Sequence, residues 1–154
     1  MVTALSLLTA CGGNPKTTAE AEKIDYTVEQ FADLQILRYR VPGFEDLSLK
    51  QKELVYYLTE AALQGRDVLF DQNGKYNLTI RRMLEAVYTG YKGDRSTPDF
   101  KAMEVYLKRV WFSNGIHHHY GCEKFTPGFT PDFFRKAVQS VDASALPLAG
   151  GQTV

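Results

Sequence analysis

The residues of this 154-residue chain with the most chemical potential lie together, between two apolar-periodic segments. The stretch Ser113-Asn-Gly-Ile-His-His-His-Tyr-Gly-Cys-Glu-Lys-Phe-Thr-Pro-Gly128 holds all three histidines of the chain, with Asn114, Tyr120, Cys122 and Glu123. His117, His119, Cys122 and Glu123 are each competent zinc ligands. Their spacing argues against a preformed metal site. Adjacent side chains of an extended segment diverge, so only His117 and His119 would share a face. No His-x-x-x-His and no second ligand cluster occurs elsewhere in the chain. A nucleophilic Cys122 would need a histidine base and a carboxylate to orient it, and no such carboxylate is identifiable. The residue types fit best the polar and aromatic wall of a binding cleft. The alternative is a structural loop whose imidazoles satisfy backbone groups.

The elements that must position this loop can be read from local signals. Thr97-Pro98-Asp99 places a cap, a first-turn proline and a first-turn acid in succession. A long helix should follow, with Phe100, Met103, Leu107, Val110 and Trp111 as its apolar stripe. Asn114-Gly115 then ends it. Thr130-Pro131-Asp132 repeats the opening for a shorter helix bearing Phe133, Phe134, Ala137, Val138 and Val141. Upstream, Asn77 is a candidate cap for a helix with Ile80, Met83, Leu84, Val87, Tyr88 and Tyr91 on one face, ending at Gly90 or Gly93. Ser48-Leu-Lys-Gln51 is a capping box opening a helix from about Leu49 to Leu63, with Leu54, Leu58, Ala61 and Ala62 inward. Asp71-Gln-Asn-Gly74 reads as a turn. Thr27-Val-Glu-Gln30 is a second capping box and predicts a short helix carrying Phe31 and Leu34. After it, Ile36 to Val41 alternates like a strand, with Leu37, Tyr39 and Val41 on one side. The expected fold is mainly α, with neighbouring helices packed antiparallel.

The ends differ from the middle. Eighteen basic and eighteen acidic residues give a net charge of zero, and all of them fall between Lys16 and Asp142. A neutral chain lacks the basic footprint that nucleic acids or acidic membranes require. Residues 1–10 are apolar or small, too few to span a bilayer. Leu8-Thr9-Ala10-Cys11 resembles a bacterial lipobox, in which the cysteine thiol is lipidated. The expectation is a lipoprotein signal remnant over 1–11, a polar tether over 12–23, a helical segment over 24–142 and a tail over 143–154. No Lys or Arg precedes Lys16, although a signal peptide begins with positive charge. Met1 is therefore expected to be an internal start. Lipidation at Cys11 implies the cell envelope, periplasmic or outer-membrane.

The loop carries a resemblance. Ser113-Asn114, Gly115, Tyr120-Gly121, Lys124-Phe125 and Pro127 resemble a segment of the dipeptidyl peptidase III family, zinc exopeptidases that remove dipeptides from oligopeptide N-termini. The run from Phe31 through Pro42-Gly43, Leu54-Val-Tyr-Tyr-Leu58 and Asn77 to Asp142 is similar to the Bacteroidetes branch, covering about residues 24–150. The resemblance implies the N-terminal part of one lobe of a two-lobed peptidase, with oligopeptide as substrate. It implies substrate-binding roles for Asn114, Gly115, His119, Tyr120 and Gly121. Tyr120 would pack on an apolar side chain of the peptide, and Asn114 would bond its backbone. The family's zinc motif, His-Glu-x-x-Gly-His with a further Glu, is absent here. Zinc, its ligands and the general base would belong to the remainder of the peptidase chain, this chain's implied partner. The chain alone would bind no metal, contain no catalytic residue and expose an apolar patch. Two other readings remain. One is a small helical lipoprotein that binds a peptide or partner through the His-rich loop. The other is a metal-binding module using the same loop.

Overall fold

A computed structural model describes residues 24–150; the lipobox, Cys11, the whole tether and the last four residues of the tail lie outside the described residues. The order is β1 (Thr27–Phe31), β2 (Leu34–Leu37), α1 (Leu49–Gln64), α2 (Arg66–Asn73), α3 (Asn77–Gly90), α4 (Pro98–Ser113), α5 (Pro131–Gln139) and a 3-10 turn at Ala143–Ala145. The described fold is mainly helical.

Helices begin where local chemistry supplies a partner for their first free N–H groups. Ser48 and Gln51 form a reciprocal capping box on α1. Thr97 accepts from the Phe100 N–H and Thr130 from the Phe133 N–H, each followed by proline in the first turn. Asp99 joins the two openings, because its carboxylate accepts from the Thr130 N–H at 3.0 Å.

The core lies between α3 and α4 and is closed by α5. Met103, Leu107, Val87 and Val110 are fully buried, with Leu84, Phe100 and Ala137 beside them. Each large side chain removed from water contributes about 1.5–3 kcal/mol. Pairings along α3 and α4 run in opposite order: Tyr91 stacks on Phe100, Glu85 accepts from the Trp111 indole, and Asn77 accepts from the Ile116 N–H. The two helices are therefore antiparallel. Val141 and Leu146 are buried in the same core, so packing continues past Asp142.

Five expectations are corrected. Residues 27–34 form no helix. Thr27–Phe31 pairs antiparallel with Leu34–Leu37, with a register shift at Val28. The Thr27 hydroxyl accepts from Gln35 instead of capping a helix. β-Branched and aromatic residues suit this hairpin, and Ala32 takes the left-handed turn conformation, φ 50°. Glu29 and Asp33 then pair with Lys108 and Arg109 on α4, contacts that a lone helix signal cannot weigh. The alternation is also offset: Leu34 and Ile36 are half-buried, whereas Leu37, Tyr39 and Val41 are exposed.

The third correction concerns Asp71-Gln-Asn-Gly74, which is not a turn through its first three residues. They finish α2, which is held down by buried Phe70. The fourth is that Asn77 does not cap α3. It is that helix's first residue, and its side chain is turned to the loop after α4. Fifth, the Leu54, Leu58, Ala61 and Ala62 stripe of α1 is exposed along its whole length. Local signals form that helix, but no described element covers it.

Candidate functional site

The His-rich segment is a tight antiparallel hairpin. His117 bridges to Lys124, the Phe125 N–H donates to the Ile116 carbonyl at 2.8 Å, and the His118 N–H donates to the Glu123 carbonyl at 2.8 Å. The Gly121 N–H closes the tip on the His118 carbonyl. Because the tip turns back, strand alternation fails there. The adjacent rings of His118 and His119 stack with centroids 4.5 Å apart, and Tyr120 lies 4.3 Å beyond His119. The sequence expectation that neighbouring imidazoles diverge is thus overturned. The Tyr120 N–H donates to His118 Nδ1, which needs that nitrogen unprotonated.

Three helix ends meet beneath the hairpin. Asn114 leaves α4 in the left-handed conformation, φ 52°, its N–H donating to the Val110 carbonyl. Gly115 follows at φ +155°, against the Asn77 carboxamide. From the end of α2, Asn73 Nδ2 donates to the Asn114 carbonyl at 3.3 Å. From the start of α3, Asn77, only 3% exposed, accepts from the Ile116 N–H through Oδ1 at 3.3 Å. The asparagines thus join α2, α3 and α4 to the hairpin.

This junction is the floor of a cleft of about 510 Å³. Asn73, Asn77 and Ser113 line it, with Asn114 and Gly115 from the α4 exit and His117, His118, His119, Gly121 and Cys122 from the hairpin. Of the residues singled out from sequence, Asn114, Gly115, His119 and Gly121 therefore come together at one cleft. Tyr120 does not belong to its lining; its ring is 89% exposed at the hairpin tip. Asn73, Asn77 and Ser113 are cleft residues that the sequence reading did not select. Ser113 is 7% exposed and its Oγ has no hydrogen-bond partner.

No Asp, Glu, Lys or Arg lines the cleft. A second network lies beside it, where Asp67 holds both Arg81 (2.7 Å) and Arg82 (2.6 Å), and Arg81 Nε reaches Glu85 at 3.3 Å. The Arg82 and Arg81 guanidiniums hold the Asp67 carboxyl below the usual carboxylate range. The Arg81 guanidinium also lies over the Phe70 ring, 4.6 Å from its centroid. This network fastens α2 to α3.

Among the described residues, no three His, Cys, Asp or Glu side chains are grouped to hold a metal ion. The hairpin does not fit zinc, and Cys122 is an exposed free thiol. No described helix is long and apolar enough to cross a membrane. No known family's sequence profile matches the chain, and no curated protein is significantly similar to it in sequence.

Proposed function

We propose that this chain is the N-terminal portion of an exported dipeptidyl peptidase III, contributing one wall of the cleft that receives an oligopeptide. The observation that carries the reading is the Ser113-Asn114-Gly115 … Tyr120-Gly121 … Lys124-Phe125 run, bordering a cleft whose lining offers amide and hydroxyl groups. Peptide backbone is itself a chain of amide donors and acceptors, and such a lining pairs with it without a charge penalty. Exposed Tyr120 stands at the rim, where an aromatic plate can cover an apolar peptide side chain.

The described residues do not fit the zinc of such an enzyme. In this reading zinc and its ligands belong to the rest of the polypeptide. The chain's own work is binding and orientation. The uncovered face of α1, with Leu54, Val55, Tyr57 and Leu58 exposed, suits packing by further parts of a lobe. Lipidation at Cys11 would fix the enzyme to the cell envelope.

The test is direct. The purified chain, titrated with an unmodified hexapeptide, should shift the backbone amide resonances of Asn114, Gly115 and Gly121 while releasing no dipeptide. Release of dipeptide from an arylamide substrate by this chain alone would contradict the reading, as would hexapeptide binding that leaves those resonances unmoved. A second reading, a small helical lipoprotein binding a partner peptide, uses the same cleft. It is favoured by the core that α3, α4 and α5 build among themselves.

A further inference from the structure

We infer that the floor of the cleft is a subsite for an uncharged amide, the side chain of a glutamine or asparagine residue in the bound peptide. The inference rests on the peptide-cleft reading and adds to it a side-chain preference.

Four properties of the floor lead there. First, beneath the His117–His119 imidazoles and the Cys122 thiol its side chains are the amides and hydroxyl of Asn73, Asn77, Asn114 and Ser113, with no Asp, Glu, Lys or Arg in the lining. Second, Ser113 Oγ is buried without a partner. A native fold rarely leaves such a group unpaired, and a ligand that pairs with it recovers the cost of having buried it. Third, part of the amide capacity is already committed to structure. Asn77 Oδ1 holds the Ile116 N–H and Asn73 Nδ2 holds the Asn114 carbonyl, which fixes the orientation of both carboxamides. Fourth, α2 and α4 end at the floor while α3 begins there. Carbonyl ends and an N–H end thus meet, and their opposed partial charges favour a neutral dipole over an ion.

Each competing ligand class leaves something unpaid in physical terms. A carboxylate would sit near two helix C-termini, with no Lys or Arg in the lining to pair with it. An ammonium would find no acid there. An apolar side chain would leave the Ser113 hydroxyl unpaired and would cover the uncommitted amide atoms of the asparagines without partners. A primary amide carries both a carbonyl acceptor and an N–H donor, so it can complement the hydroxyl and the carboxamides together.

The experiment uses the 154-residue chain, isotope-labelled, with tetrapeptides that differ only at one of the first two positions: Gln, Glu, Leu or Lys. Expected is binding of the Gln peptide about ten-fold tighter than the Glu, Leu or Lys peptides, the discrimination of one or two neutral hydrogen bonds. The side-chain amide resonances of Asn73 and Asn77 should move only with Gln. Ser113→Ala should remove most of the preference by weakening the Gln peptide, and an unchanged backbone spectrum reports that the variant is folded. Equal binding of all four peptides would overturn the amide subsite and leave the peptide-cleft reading standing. Failure of every peptide to bind would overturn both. Displacement of the Gln peptide by a simple monosaccharide would also overturn the amide assignment, identifying the floor as a hydroxyl-binding site.

Discussion

At Gly115 the chain turns with φ +155° and passes against the Asn77 carboxamide, where an added Cβ would collide with Nδ2. Both facts act in the same direction. The backbone conformation is open mainly to glycine, and the colliding atom belongs to a side chain 97% buried and bonded to Ile116. Gly115→Ala is therefore expected to cost about 2 kcal/mol or more, the sum of backbone strain and a displaced buried amide. It should also weaken peptide binding, because Asn77 is part of the cleft floor. Chemical denaturation of the variant beside the parent measures the first effect, and a titration measures the second. A Gly115→Ala chain as stable as the parent would show that the junction yields more easily than its geometry indicates. At this scale the sequence was only partly legible. Asn114-Gly115 reads from sequence as a helix end because left-handed Asn and the following Gly are local signals. Asn73 and Asn77 contribute from 41 and 39 residues upstream, and no local pattern links them to the loop. Each had a plausible local role, as a turn residue and a helix cap, that concealed the tertiary one.

The elements are held by connections of different kinds. Apolar burial joins α3, α4 and α5, whereas the short α2 depends on Phe70 and on Asp67 bridging Arg81 and Arg82. Those guanidiniums lower the folded carboxyl below its unfolded value. The stabilisation is therefore present above the ordinary aspartate value, about 4, and is lost as pH falls below it. Thermal unfolding of Asp67→Asn should lie below the parent at neutral pH, and the gap should close as pH drops towards 3. A gap of constant size across that range would mean that Asp67 contributes packing and not charge. Comparison with the parent isolates Asp67 from Asp94 and Asp142, whose carboxyls are also lowered, by bonds from Ser96 and Ser144 respectively. The helices with Ser48, Thr97 and Thr130 at their starts were legible because a cap is decided within four residues. The hairpin at 27–37 was not. Thr27-Val-Glu-Gln30 satisfies the same capping pattern, whereas the hairpin's partners Lys108 and Arg109 lie far along the chain, where no local pattern reaches.

Across the whole molecule the burial is uneven. The core of α3, α4 and α5 is closed, while α1 carries Leu54, Val55, Tyr56, Tyr57 and Leu58 to solvent and buries no residue. Its capping box makes it a helix, but its apolar surface exceeds what a solvent-facing helix needs. Its sequence pattern predicts an inward stripe, and the stripe exists without a described partner. In the proposed reading a further part of the lobe would pack on that surface, and the same polypeptide would supply the zinc site. The most direct measurement is mass-spectrometric mapping of the native polypeptide that carries this sequence, purified from its cells and assayed for dipeptide release. The expected result is a polypeptide several times longer, containing in-frame His-Glu-x-x-Gly-His, whose dipeptidyl arylamidase activity is lost to a chelator and restored by zinc. A mature native lipoprotein confined to this sequence, with no such activity, would contradict the account.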